Sequence, residues 1–183
     1  DVTTHVVGSQ LLREAAARPA TVDPDDRPVF LGQLHGAELS RWGMARTAGG
    51  FCRATGATYR PHPSERDRLS RWQHALWRRR GIEVEGPGAP LSSVDRPVVG
   101  MFSTGVLEAA ARGIPGWVTH VSPPPWLEEF WERYGLSRWG DDPTPAPSLP
   151  PVEPAAAIAA RHGRLLVHRA RAAELVAAAA DLA

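Results

Sequence analysis

The 183-residue chain contains no lysine, so all 21 of its basic residues are arginine. A Walker A loop and a Schiff-base mechanism both need a lysine amine, and neither is open to this chain. Cysteine is almost as scarce. Cys52 stands alone, which excludes an internal disulfide and any multi-cysteine metal site. Its setting in GGFCRATG predicts a buried, inert thiol on a helix. No run approaches the roughly 18 apolar residues of a membrane span. The opening DVTTHVVGSQLL has neither the basic start nor the long apolar centre of a signal peptide. The expected location is cytoplasmic, with a peripheral position at the inner membrane face as the alternative. Net charge is also small. A formal +1 points to no polyanion partner, so nucleic-acid binding through a broad basic face is not expected.

What is present is a regular alternation. A short extended piece, THVVGSQ, precedes the helical LLREAAARP and the acidic turn DPDD. Apolar runs then recur at RPVFLG (27–32), ATYRP (57–61), IEVE (82–85), PVVGMF (97–102) and GWVTHV (116–121). Helical patterns at 37–56, 64–80 and 105–113 fall between them, and Pro123–Pro125 lead into WLEEFWERYGLSRWG. Short β-rich runs separated by helices predict βαβ units and a parallel sheet. The fold class is therefore α/β: a Rossmann-like parallel sheet with helices on both faces. The expected organisation by pattern is an opening segment over 1–26, a sheet-bearing domain over 27–140 and a Pro-rich connection over 141–154. C-terminal helices follow over 155–183, at about 154–162 and 165–182 by pattern.

Within the 64–80 helix, Leu69, Trp72 and Leu76 are spaced i, i+3, i+7 and predict an apolar face packed on the sheet. Ser64 is placed to cap the start, with Asp67 three residues on. Glu65 and Asp67 at the start and Arg78–Arg80 at the end complement the helix dipole, so the arginine run reads as a solvated helix end.

In an open parallel sheet, ligands bind outside the carboxyl ends of the strands. Those ends carry GQLHG (32–36), RPHPS (60–64) and FSTG (102–105). Ser103 and Thr104 open a helix whose free N–H groups and dipole favour a phosphate, and Gly105 offers close backbone approach. Glu108, one turn in, is placed to accept hydrogen bonds from ribose hydroxyls. An ordinary N-cap and an exposed dipole-compensating glutamate are the alternative readings of these two features. Pro61 and Pro63 hold His62 extended at a strand end, where an imidazole can either donate to a phosphate that gains charge as it leaves or simply cap or pack in the turn. Gln33, His35 and Gly36 are further candidates on the first turn, and His120 lies near the end of the fifth strand. His74, His162 and His168 are expected to be structural or exposed. No His/Asp/Glu grouping has metal-site spacing, so no metal is expected.

YRPHPSE together with FSTGVLEAAARGIP resembles the nucleotide-binding half of GT-B glycosyltransferases that carry a His-Pro motif. These include bacterial sialyl- and polysialyltransferases, capsule Kdo transferases and CDP-glycerol polymerases. The resemblance spans about residues 28–121. It implies that His62 with Pro63, and Ser103 with Thr104, bind the phosphate of a cytidine nucleotide-sugar donor such as CMP-sialic acid. His62 would be the catalytic contact, and Glu108 would also touch the donor. It further implies an inverting, metal-independent transfer to a glycan or sugar acceptor in polysaccharide synthesis. The family's acid/base motif, two acidic residues followed by glycine, is absent, because Asp141–Asp142 precedes proline. THVVGSQLLREAA resembles the crossover from an N-terminal domain, so the chain is expected to be a donor-binding domain whose catalytic base lies in that domain. Two alternatives remain open. One is a different nucleotide-sugar enzyme, an epimerase or hydrolase. The other is an interaction module built on Trp117, Trp126, Trp131 and Trp139, most of which are nonetheless expected in the core.

Overall fold

A computed structural model describes residues 9–23, 25–34, 39–86 and 91–149. The chain divides into two compact units, Leu11–Pro147 and Asp1–Gln10 with Ser148–Ala183. The sheet belongs to the first. The helices expected beyond residue 154, and the extended THVVGSQ up to Gly8, lie outside the described residues.

The element order is α1 (Gln10–Ala16), β1 (Val29–Leu31), α2 (Arg41–Thr55), β2 (Thr58–Arg60) and α3 (Arg68–Arg79). A 3₁₀ turn (Leu91–Ser93) precedes β3 (Val98–Gly100), α4 (Thr104–Ala111), β4 (Gly116–Val118) and α5 (Pro125–Arg133). The four strands form one sheet in the order β2-β1-β3-β4, and every pair is parallel. An α/β parallel sheet is the predicted class. The first βαβ unit runs outward from β1 and the second outward from β3. The direction therefore reverses between those two strands, and in open parallel sheets that reversal is where ligands bind, at the carboxyl ends.

Register explains the core. Tyr59, Phe30, Val99 and Trp117 lie side by side across the sheet and pack with Met44, Ala48, Cys52 and Trp77 from α2 and α3. The alternate residues Val29, Leu31 and Val98 pack with Ala109 and Ile114, because successive strand side chains point to opposite faces. Residues 11–26 are part of this unit, since Ala20 and Val22 pack on that second cluster. Arg112 fastens the same region: its guanidinium donates to Arg18 O, to Val94 O and to Asp95.

Three local expectations are revised. IEVE makes a single parallel bridge, Tyr59 with Val84, through Tyr59 N–H to Glu83 O and Glu85 N–H to Tyr59 O. It is not a strand, because Gly86 and Pro87 follow at once and a proline has no N–H to continue the ladder. Helix α3 begins at Arg68, capped by Asp67, whose carboxylate accepts from Ser70 N–H; Ser64 sits in the preceding turn. The third revision concerns which face of α3 is buried. It presents Ser70, His74 and Trp77 inward, whereas Leu69 is 51% and Trp72 60% exposed.

Cys52 is buried, and burial pushes its thiol up to about 12. A thiolate-directed reagent should leave it untouched in the native protein and react with one equivalent after unfolding in denaturant. Rapid native labelling would place the thiol outside this core.

Candidate functional site

The carboxyl edge of the sheet collects the turns after β1, β2, β3 and β4. Gln33 bridges the carboxyl ends of β1 and β3. It is buried, and its side-chain oxygen accepts from Met101 N–H at 3.1 Å and Phe102 N–H at 3.0 Å. It therefore serves as a strut between two strand ends, with its acceptor committed to the backbone. Trp131 anchors the same corner from α5 by donating its indole N–H to Met101 O at 2.6 Å. His35 and Gly36 lie outside the described residues.

At the β3 turn, Ser103 is the N-cap of α4, and its hydroxyl accepts from Gly105 N–H at 3.1 Å. Thr104 is exposed. Burial raises the Glu108 carboxyl, while a hydrogen bond from Thr104 partly offsets the rise. Gly105 has an internal reason to be glycine: an added Cβ would lie 2.8 Å from both Leu31 Cδ1 and Leu91 Cδ2. The space beside it is filled by this chain's own side chains.

At the β2 turn, His62 and Pro63 are exposed. His62 Nδ1 accepts from Ser64 N–H at 3.1 Å, which leaves the proton of the neutral ring on Nε2. The backbone N–H of His62 donates to Glu65 Oε1 at 3.3 Å. His120, after β4, has its Nδ1 accepting from Ser122 N–H at 3.2 Å. Its Nε2 is buried without a partner among the described residues. Burial lowers its pKa, and the Ser122 hydrogen bond opposes that.

The residue that sequence reasoning missed is Glu65. Its side chain is fully buried and gathers donors from three elements. Leu34 N–H reaches Oε1 at 3.0 Å, the Tyr59 hydroxyl reaches both oxygens, and His74 Nε2 lies 2.9 Å from Oε2. With the His62 N–H, this one carboxylate fixes the turns after β1 and β2 to each other and to α3. The available signal was the polar spacing of Ser70 and His74 on α3, which marks a buried polar face wherever an acceptor waits for it. Among the described residues, no group of three His, Cys, Asp or Glu side chains is placed to hold a metal ion. No helix there is long and apolar enough to cross a membrane.

The sheet order, the reversal between β1 and β3 and the helix opening at Ser103 define a doubly wound parallel α/β domain. No family model, curated protein or solved structure matches the chain.

Proposed function

We propose that this domain binds a nucleotide-sugar donor at the carboxyl edge of its sheet, as the donor half of an inverting, metal-independent glycosyltransferase. The carrying observation is that Ser103 and Thr104 open α4 at the end of β3, beside the point where the direction of chain winding reverses. His62 stands at the end of β2, on the other side of β1. The N-terminal N–H groups of α4 supply a positive field for a phosphate, and the exposed Thr104 adds polar character. His62, with its proton on Nε2, supplies a donor for the oxygen that gains charge when the sugar departs. Glu108 faces the donor from one turn inside α4. The base that activates the acceptor, and the acceptor site for a glycan or sugar, belong to an N-terminal domain of the same enzyme. The resemblance to His-Pro glycosyltransferases favours a cytidine nucleotide donor.

Calorimetric titration with CMP, CDP, UDP and GDP tests this. A cytidine nucleotide should bind, and His62→Ala should weaken it about 10-fold or more, the loss expected for one hydrogen bond to a charged group. Unfolding midpoints of both proteins, measured alongside, separate lost affinity from lost folding. Equal affinity of the variant, or no binding of any nucleotide, would overturn the proposal.

A further inference from the structure

The apolar stripe that faces away from the core of α3 meets a matching feature on α2. Between the two helices runs a groove of about 360 Å³ walled by Trp42 and Trp72, with Gly49, Gly50, Leu76 and Trp77 among its lining. Trp42 is 69% exposed, and with Trp72 it is the most exposed tryptophan described. Both rings lie outside the 117–139 cluster, where Trp117 and Trp131 are buried and Trp126 and Trp139 are each 41% exposed.

The charge on these helices is one-sided. Helix α2 carries three arginines and α3 four, Arg80 follows immediately, and neither helix contains an aspartate or glutamate. Yet the whole chain has a formal charge of only +1. Among the described residues, no arginine of this group pairs with a carboxylate. Arg46 lies over the Trp42 ring at 5.2 Å, and Arg53 folds back so that its Nε donates to Gly49 O. Both therefore stand at the rim in defined positions. The helix also gives up stability here. A Cβ on Gly49 would press on Trp77 Nε1 at 3.1 Å, but one on Gly50 would meet nothing within 4 Å. A mid-helix glycine with no internal reason leaves bare backbone for something outside to approach.

We propose that this groove docks an acidic amphipathic helix of a protein partner. A concave channel between two helices accepts a third helix lengthwise, with apolar anchors at i, i+3 or i+4, and i+7 meeting Trp42, Trp72 and Leu76. Its flanking carboxylates meet Arg46, Arg53 and Arg80 at the rim. Tryptophan and arginine are the residue types that concentrate binding energy at such centres. Groove-to-groove pairing of two copies does not fit, because a two-fold axis there would set arginine against arginine. A bilayer calls for a flat or convex apolar face, and this one is concave.

The probe is a synthetic helical peptide of about 20 residues, roughly 30 Å long, with leucine on one face and glutamate elsewhere. Its counterpart carries lysine in place of glutamate. Both are titrated while tryptophan emission is followed. The acidic peptide should bind, with affinity falling as salt rises, and the lysine peptide should not. Trp72→Ala and Arg46→Glu should each weaken binding about 10-fold or more while leaving the unfolding midpoint unchanged, since both side chains are exposed. Indifference to peptide charge, no binding, or binding unaffected by either substitution would overturn the proposal. So would a preference for single-stranded DNA or for anionic vesicles lost through the same substitutions.

Discussion

Glu65→Ala should destabilise the domain by about 3–5 kcal/mol, the range for removing one partner from a buried ionic hydrogen-bonded cluster. The reason is the number of donors left behind. Leu34 N–H, His62 N–H, the Tyr59 hydroxyl and His74 Nε2 all point at this carboxylate, and the cavity replacing it offers no acceptor. Glu65→Gln should cost less, about 1–3 kcal/mol. Its oxygen still serves Leu34 and His62, and His74 accommodates the amide by moving its own proton to Nδ1. Urea unfolding monitored by tryptophan emission measures both. The pH dependence has a defined sign. Burial pushes the Glu65 carboxyl up, and hydrogen bonds from His74, Tyr59, Leu34 and His62 more than reverse this, leaving it below its ordinary value of 4.5. A carboxylate depressed by folding contributes fully above its unfolded value, and the contribution is lost as pH falls from 4.5 through the folded value. Burial, then the charge of Glu65, raise the Tyr59 phenol well above its ordinary 10.0. That contribution is present below pH 10 and is lost as the phenol ionises above it. The wild type should lose the Glu65 increment on acidification, and Glu65→Gln should lack it. Identical acid profiles, or a Glu65→Ala cost under about 1 kcal/mol, would remove the carboxylate from the centre of the network.

The strands were legible because each is a short apolar run bounded by proline, glycine or a polar turn, and such runs carry their own evidence. PVVG before FSTG becomes β3 and then α4; GWV after GIP becomes β4. Helix α3 was misread at both its start and its buried face, for one reason. Leu69, Trp72 and Leu76 make the stronger periodic signal, but Ser70 and His74 have buried partners supplied from elsewhere. The Arg41 guanidinium donates to Ser70, and His74 meets Glu65. Those partners are distant in sequence, so periodicity cannot see them. Gln33 illustrates the same limit: its partners lie 68 and 69 residues away. At the candidate site, the order of turns along one edge was readable from where the strands end. Which side chains hold those turns in place was not, because the answer depends on contacts between turns. His62 is set by a backbone hydrogen bond to a carboxylate that looked like a dipole-compensating helix residue.

Gly32→Ala should be the second costly change, at about 3 kcal/mol, the upper part of the range for over-packing a tight interior. A Cβ at this position would lie 2.5 Å from Tyr59 Oη, 2.7 Å from Glu65 Oε1 and 2.8 Å from Arg60 O. All three distances are below contact, and none of the three atoms is free to retreat. Arg60 O accepts from Gly32 N–H at 2.7 Å, so moving it breaks the bond that extends the β1–β2 pairing. Displacing Tyr59 Oη or Glu65 Oε1 pulls them from each other and from Leu34 N–H. The added methyl therefore acts through the same network as Glu65→Ala, and the two changes should not be additive. In the Glu65→Ala background one obstruction is gone and the Tyr59 hydroxyl has room to shift, so Gly32→Ala should cost only about 1 kcal/mol. A double-mutant cycle in urea measures the difference, expected at about 2 kcal/mol of coupling. Strict additivity would mean that the clash with Arg60 O alone sets the cost. A Gly32→Ala variant as stable as the wild type would mean that the β1 turn has the slack this packing denies it.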